Sequence, residues 1–220
     1  MLKKKVALAV KRREADVAFD AIEAMISTLA LAPGSPIVEA EISESIGVGR
    51  TPVREALMRL MSNGLVIQQP RRGLLVSPID LANHLDVIET RRVLERLIAA
   101  CVARRATASQ RDEITNFVHA MSLAAKQGDT AGYMKADQAR VRVYHAASRN
   151  YSAVNAVAPL VTQSRRFWYA YQHTGDIAEG VIYHERMAQG IRRGSEAEAV
   201  KGADELMDYL EKFTRNVIDG

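Results

Sequence analysis

A tight turn that leads into a short helix, at residues 47–60, constrains the fold of this chain more than any other stretch. Gly47 permits the turn, and Pro52 suits a first helical turn because its missing N–H would be unpaired there anyway. Thr51 can cap the same turn through its hydroxyl. The apolar residues that follow recur at i, i+3, i+4 and i+7, which predicts one buried helix face: Val53, Ala56, Leu57 and Leu60.

Arginines occupy the opposite side of this predicted helix. Arg50 and Arg54 are four residues apart, with Thr51 beside them. Arginine can bond O6 and N7 of guanine through two N–H groups, so the pair suits the reading of base edges and phosphates. For two arginines alone, a solvated helix face is an equally good interpretation.

The charge around this helix favours nucleic acid as a partner. Residues 50–72 contain five arginines against one acidic residue, Glu55, and residues 1–13 contain six Lys or Arg and no Asp or Glu. Such clustering is the electrostatic footprint of a nucleic-acid surface. The N-terminal run is interpreted either as a flexible arm that contacts phosphates or, preferably, as a solvated tail.

The elements on either side complete a winged helix. A short helix over residues 39–46 precedes the turn and gives the helix-turn-helix plan, while an apolar-periodic helix over residues 16–31 supports it. Two β-prone runs, residues 65–69 and 74–76, flank a Pro/Gly loop and predict a hairpin. Two cations and a glycine that permits close approach lie at its tip: Arg71, Arg72 and Gly73.

These residues resemble a known family. The segment PGSPIVEAEISESIGVGRTPVREALMRLMSNGLVIQQPRRGLLV is similar to the DNA-binding domain of the GntR family of bacterial transcription regulators, over about residues 16–78, and RTPVREAL at residues 50–57 matches its strongest motif. Gly49 departs from the family, which usually carries Ser or Thr there, so a hydroxyl that could bond phosphate is missing. The resemblance and the charge pattern together assign the DNA-binding candidates: Arg50, Thr51, Arg54, Arg59, Arg71, Arg72 and Gly73.

The remainder of the chain is expected to be helical. Ser77-Pro78 marks a domain boundary, which divides the chain into a winged domain at residues 1–78 and a second domain at residues 79–220. Little proline and repeated apolar spacings of three and four predict a mainly α fold, with an antiparallel bundle of six helices after the boundary. Their predicted ranges are 80–105, 108–127, 130–149, 151–173, 177–193 and 196–217.

Composition narrows the class of protein further. The chain is 48% apolar, enough to bury a core, but it has no run of about 18 apolar residues, so no membrane span is expected. Its single cysteine, Cys101, excludes an internal disulfide and suits a reducing cytoplasm. Cys101 is expected to be a small buried apolar residue.

The helical half resembles the effector-binding domain, of the FCD type, in the branch of the same family that is related to fatty-acid and pyruvate responsive regulators. The resemblance is scattered over about residues 80–217. It rests on Arg91 with Leu94-Glu95, on Asp137 upstream of Asn150, and on Tyr183-His184 followed by Ile191-Arg192-Arg193-Gly194.

That branch implies a metal site of one Asp and three His, which this chain keeps only in part. Asp137 and His184 match, whereas the other two positions hold Val141 and Leu206. His145 lies about 12 Å beyond Asp137 along a helix, too far for a simple substitution. The sequence therefore leaves two interpretations open: a divalent transition metal such as zinc or nickel on a substituted ligand set, or, preferably, a hydrogen-bonded pocket or core histidine at His184.

An anion pocket is the alternative to the metal site. Arg91 matches the pocket arginine of the family, and an arginine beside a histidine suits a carboxylate. The effector candidates are Arg91, Asp137, Arg140, His145 and His184. Besides Arg91, four arginines fall on helices that could face one another across the bundle, although a solvated helix face is the preferred interpretation for each of them: Arg140, Arg142, Arg165 and Arg166.

The expected function is that of a ligand-responsive DNA-binding regulator. By the usual behaviour of the family, it would be a repressor that binds a palindromic operator as a homodimer and is released by a small carboxylated metabolite, with activation left open. A metal-dependent helical-bundle enzyme with a DNA-binding appendage is the alternative. The sequence shows no Ser-His-Asp or Cys-His arrangement and no Gly-rich phosphate loop, so an enzyme is not expected.

Overall fold

The computed structural model describes residues 13–173 and 176–220. The predictions made for residues 1–12 of the basic run, and for a helix break at residues 174–175, lie outside this part of the chain. The described residues form nine helices and two strands, in the order α1 Glu14–Ser27, α2 Glu39–Ile46, α3 Arg50–Ser62, β1 Val66–Gln69, β2 Gly73–Val76, α4 His84–Arg105, α5 Ala108–Gln127, α6 Thr130–Ser148, α7 Tyr151–Tyr171, α8 Asp176–Arg193 and α9 Glu196–Asp219.

Helices α1 to α3 form the core of a winged helix-turn-helix. The backbone reverses at Gly47, whose φ of 65° lies in the left-handed region that glycine adopts without strain. The predicted apolar face of α3 is confirmed, because all four of its residues are buried against α1. Helix α1 ends at Ser27, four residues before the predicted end. Leu29 there has a φ of 58°, so the chain leaves the helix although the apolar spacing continues.

The two strands form the predicted hairpin. They pair antiparallel, with Val66 opposite Val76 and Gln69 opposite Gly73. The tip turns through two residues with positive φ, Arg71 at 64° and Gly73 at 77°. This geometry projects the tip away from the core, where the strand ends are buried.

Helices α4 to α9 form the bundle, and the fold class predicted from the sequence is confirmed. Five of the six helices begin within one residue of the prediction, while α4 begins four residues later than expected. The buried side chains form two clusters, one around Ile98, Tyr144 and Ile191 and one around Trp168 and Met207. Cys101 is buried, as expected.

Helices α8 and α9 approach each other at two glycines. A Cβ atom added at Gly202 would lie 2.6 Å from the Cα of Met187, and one added at Gly190 would collide with the backbone N of Ala199. Only glycine therefore fits at either position, and the two backbones are in direct contact.

The winged part contacts the bundle through α1. Gln138 on α6 donates to the backbone oxygen of Asp20 at 3.3 Å, Arg142 pairs with the Asp20 carboxylate at 2.7 Å, and the hydroxyl of Thr162 on α7 bonds Glu23. Arg166 binds the segment that connects the winged part to the bundle, because its Nη2 donates to the backbone oxygen of Ser77 at 2.6 Å. In the described part of the chain, no helix combines the length and the apolar character needed to cross a membrane.

Candidate functional site

The outer face of α3 presents the predicted DNA-reading residues. Arg50, Thr51 and Arg54 are exposed on its first two turns. The capping role predicted for Thr51 is wrong, because Gly49 is the N-cap residue and provides no side-chain hydrogen bond. The Thr51 hydroxyl is therefore not engaged in capping, and it lies on the same exposed surface as the arginines.

Arg54 is held by a residue of the preceding helix. Its Nε and Nη2 donate to Oε2 of Glu39 at 3.2 and 2.8 Å. The hydrogen bond from Arg54 lowers the pKa of the Glu39 carboxyl, and the same bond raises the pKa of the Arg54 guanidinium. Glu39 at the start of α2 thus fixes the direction in which Arg54 leaves α3, a role that the sequence analysis missed.

Arg59 lies on a different face from the other α3 arginines. Five residues after Arg54, at 100° per residue, it is displaced by about 140° around the helix. Its guanidinium lies 4.3 Å from the ring centroid of Phe19 and donates to Asp16 at 2.8 Å, both on α1. The structure does not bring Arg59 together with Arg50 and Arg54.

Met58, and not Arg59, shares the exposed face of α3 with Arg50 and Arg54. It is four residues after Arg54 and 64% exposed, an unusual exposure for a large apolar side chain. Apolar side chains on a recognition helix can contact the methyl group of thymine. The i, i+4 spacing from Arg54 was the signal that could have identified it.

The tip of the hairpin carries the remaining DNA-binding candidates. Arg71, Arg72 and Gly73 are all exposed, and Arg72 donates to the side chain of Gln69 at 3.3 Å. The absence of a Cβ atom at Gly73 leaves space for close approach of another surface.

A second cluster of charged side chains is buried in the bundle. Asp137 on α6 accepts from Arg140 Nη2 at 2.8 Å through Oδ1, and from Arg165 Nε at 2.9 Å through Oδ2. Arg91 on α4 and His184 on α8 border the same small cavity, whose volume is about 50 Å³. Leu206 on α9 completes the lining, so five helices contribute to this pocket, which contains four of the five effector candidates.

The pKa values in the pocket show how its charges are arranged. Burial alone would raise the pKa of Asp137, but Arg165 and Arg140 outweigh this effect and hold the value well below the ordinary range. Burial, together with Arg140, lowers the pKa of His184 to about 3, so His184 is neutral at neutral pH. Asp137 is therefore an anion and His184 an uncharged hydrogen-bonding group.

Positive charge exceeds negative charge in this region of the bundle. Three arginines are buried there (Arg91, Arg140 and Arg165), and two carboxylates offset them, since Arg91 pairs with Glu95 at 3.1 Å and Asp137 bonds the other two. One positive charge is left over. In a water-poor interior such a charge favours the entry of an anion. Three buried nitrogens at the pocket also have no hydrogen-bond partner within the described chain: Arg140 Nη1, Arg165 Nη2 and His184 Nδ1.

His145 does not belong to this pocket. It borders a separate crevice beside Asp20 and Glu23, near α1. Burial lowers its pKa to about 4. Of the effector candidates, the structure separates His145 from the rest.

The donor set in the pocket does not fit a divalent metal. Both oxygens of Asp137 are bonded to guanidinium groups, which would also repel a cation. Leu206 borders the cavity at the position where the resemblance expected a histidine, and Val141 lies outside it. Among residues 13–173 and 176–220, no three His, Cys, Asp or Glu side chains group closely enough to hold an ion.

The arginines interpreted as a solvated helix face are mostly buried. Arg140 and Arg165 bond Asp137 in the pocket, and Arg166 bonds Ser77, so the interpretation is wrong for these three. Only Arg142 remains substantially exposed, where it pairs with Asp20. Their burial depends on how the helices of the bundle and the connecting segment assemble, which residue spacing does not reveal.

Two family models match the chain in succession. Residues 14–76 match the model described as bacterial regulatory proteins, gntR family, and residues 86–209 match the FCD domain. The second match alone covers more than half of the chain. The matched families and relatives are transcription regulators and not enzymes, which removes the enzyme alternative.

Individual proteins agree with these matches. The HTH-type transcriptional repressor RspR of Escherichia coli is 32% identical over 107 residues, which is 49% of this chain and 47% of that protein, so the chain spans about half the length of this relative. A regulator in the TAR-I ttuE-ttuC' intergenic region of Agrobacterium vitis is 32% identical over 55% of this chain and 72% of that protein. The solved structure of E. coli McbR/YncC shares the fold, with a TM-score of 0.78 at 17% identity over 94% of this chain and all of the other.

Proposed function

This chain is a GntR-family helix-turn-helix transcription regulator with an FCD domain, and on that premise we propose that it is a repressor, released from a palindromic operator by a small carboxylated metabolite. RspR, which is named a repressor, supports the direction of the response. The proposed contact with chromosomal DNA assigns the protein to the cytoplasm.

Operator recognition is assigned to two exposed surfaces. The α3 face places Arg50, Thr51, Arg54 and Met58 toward a major groove, where arginine reads guanine and an apolar group reads thymine. The cationic hairpin tip provides further phosphate or minor-groove contacts.

Dimerisation is assigned to the outer face of α4. Val93 is 68% exposed and Leu97 is 48% exposed, four residues apart on the same side of the helix. Paired apolar side chains at this spacing suit packing against a second helix. A symmetric dimer would present two winged domains to the two halves of a palindrome.

The effector is assigned to the pocket at Asp137, and the unbalanced buried positive charge is the observation that carries this assignment. A cavity of about 50 Å³ holds one or two water molecules and no metabolite. A ligand carboxylate would therefore enlarge the pocket, where it would share the two arginines with Asp137 and accept from Arg140 Nη1, which has no partner in the described chain. Because Arg140 and Arg165 lie on α6 and α7, the helices that contact α1, the rearrangement would be transmitted to the winged domain.

The decisive experiment measures operator release by small carboxylic acids. Fluorescence anisotropy of a labelled operator, selected from random DNA with the purified protein, would be followed during titration with a panel of two- to six-carbon mono- and dicarboxylates. We expect at least one acid to release the DNA while its amide analogue does not. Release by amide and acid alike would contradict the charge argument.

A further inference from the structure

A larger crevice lies between the winged domain and the bundle. The end of α1, with Ala24 and Ser27, faces Ala131 on α6 and Tyr169 on α7 across it. Its volume is about 360 Å³, about seven times that of the buried pocket. This volume lies in the range of small-molecule sites in proteins, so the crevice has the room that the buried pocket lacks.

An unsatisfied hydroxyl borders this crevice. Ser27 is 1% exposed, and its Oγ has no hydrogen-bond partner within the described chain. Thr28, the next residue, bonds the carbonyl of Ala24 through its hydroxyl at 2.8 Å, whereas Ser27 makes no equivalent bond. Buried hydroxyl groups are normally satisfied, and a ligand in the crevice would supply the missing partner.

The charged residues of the crevice wall have one sign. Lys135 and Arg165 are both cations, and no carboxylate belongs to the residues that border the crevice in the described part of the chain. The rest of the wall is largely apolar, with alanines, Met134 and the ring of Tyr169. Such a lining is complementary to a small organic anion that has an aliphatic or aromatic body.

We propose that this crevice is a second ligand site, separate from the pocket at Asp137, and that it takes a medium-chain or aromatic carboxylate. The body of the ligand lies against Ala131 and Met134, the hydroxyl of Ser27 bonds one of its oxygens, and Lys135 with Arg165 balances its charge. The site requires only the crevice geometry and does not depend on where the metabolite proposed above binds.

Arg165 connects the two sites physically. It borders both the crevice and the buried pocket, and its Nε is committed to Asp137 at 2.9 Å. A carboxylate in the crevice would compete for this guanidinium from the opposite side. Because the crevice also separates α1 from α6, an occupant would strain the contacts of Gln138 with Asp20 and Glu23. Occupation is therefore expected to alter operator affinity.

Isothermal titration calorimetry with octanoate and benzoate tests the proposal on the full chain. Ala131→Trp fills the crevice from an exposed helical position, and Ala120→Trp on α5, which is also exposed, is the matched control. We expect the wild type and Ala120→Trp to bind one of the two probes equally. Ala131→Trp should weaken binding by about ten-fold or more, equivalent to the loss of one or two good contacts.

Ser27→Ala provides an independent readout. Removal of an unsatisfied hydroxyl should leave the unfolding midpoint of the free protein unchanged or raised, while octanoate or benzoate binding weakens by about ten-fold. This variant decides the question if the tryptophan variant fails to fold.

Three results would overturn the site. They are no binding of either probe to the wild type, equal binding by Ala131→Trp and Ala120→Trp, and unaltered binding by a folded Ser27→Ala. If binding is instead lost only when Arg91 is replaced, the probes occupy the buried pocket. That outcome would refute the crevice site and leave the proposed effector pocket intact.

Discussion

Nη2 of Arg54 lies 2.8 Å from Oε2 of Glu39, so a residue at the start of α2 orients an exposed arginine on α3. An exposed ion pair of this kind adds little to folding. The ion pair instead fixes the direction of the long Arg54 side chain before DNA binds. This restraint reduces the loss of conformational entropy that accompanies binding.

The first prediction concerns the reading face of α3. Arg54→Ala should weaken operator binding by about 10- to 100-fold and relax base preference at one position of each half-site. Arg59→Ala is the control, because Arg59 faces Phe19 and Asp16 on α1. Anisotropy titrations against the operator and single-base variants measure both effects. Equal losses for the two substitutions would refute the assignment of separate faces.

The second prediction concerns Arg91. Its loss alone would leave Glu95 buried without a partner, a change that typically costs about 3–5 kcal/mol. The paired variant Arg91→Gln with Glu95→Gln avoids this, and Glu95→Gln alone is the control. We expect the pair to keep operator affinity and to lose release by the carboxylate in the anisotropy titration. Release at the wild-type ligand concentration would exclude Arg91 from the site.

The third prediction is chemical rescue at Asp137. Asp137→Ala leaves Arg140 and Arg165 without their counter-charge, so we expect a loss of about 3–5 kcal/mol in the free energy of unfolding. Acetate or formate should restore part of it by entering the space and accepting from both guanidiniums. Thermal melts in acetate and in chloride, at equal ionic strength, measure the difference. Equal stabilisation of wild type and variant by acetate would argue against an anion receptor.

The fourth prediction concerns metal content. Because both oxygens of Asp137 are bonded to arginines, we expect protein purified without chelators to contain no stoichiometric transition metal. Elemental analysis alongside native mass spectrometry measures this directly. About one metal ion per chain would mean that Asp137 releases its arginines, and the effector would then be a metal-chelating acid.

The fifth prediction concerns pH. His84 stacks on Phe167 at 3.8 Å, and burial lowers its pKa from 6.5 to about 4. The unfolded chain therefore takes up a proton below pH 6.5 that the folded chain does not, so stability falls as the pH drops from 6.5 toward 4. This histidine contributes up to about 1.4 kcal/mol per pH unit.

His84→Phe keeps an aromatic ring against Phe167 and removes the titrating group. Urea unfolding at several pH values between 6.5 and 4 should show a shallower decline for the variant than for the wild type. Some decline will remain, because His145 and His184 have pKa values lowered to about 4 and about 3 and act in the same direction. Parallel curves for variant and wild type would show that His84 is accessible to protons in the folded state.

The helix positions were predictable from the sequence because their signals are local. The apolar spacing of residues 53–60 and the glycine at 47 determine α3 and the turn before it, regardless of the rest of the chain. The end of α1 was not predictable, since the apolar spacing continues while the backbone at Leu29 adopts a positive φ.

The side-chain contacts in the pocket were predictable only between residues on the same helix. Arg91 with Glu95 is an i, i+4 pair, a relationship that the spacing along one helix reveals. Arg165 and Asp137 are 28 residues apart on different helices, and their contact exists only once the bundle has assembled. A solvated face is a sound expectation for a helical arginine when that packing is unknown, and here it was wrong. The restraint of Arg54 by Glu39 was missed for the same reason.

At Gly190 and Gly202 the backbones of α8 and α9 are in direct contact. We therefore expect these two helices to move as one rigid unit. Neither helix can slide along the other without driving one main chain into the other, so shear between them is excluded. His184 on α8 and Leu206 on α9 form one wall of the proposed effector pocket, and on this argument that wall moves as one body. A ligand that enlarges the pocket would therefore displace the remaining walls, which α4, α6 and α7 form, and two of these helices, α6 and α7, contact α1.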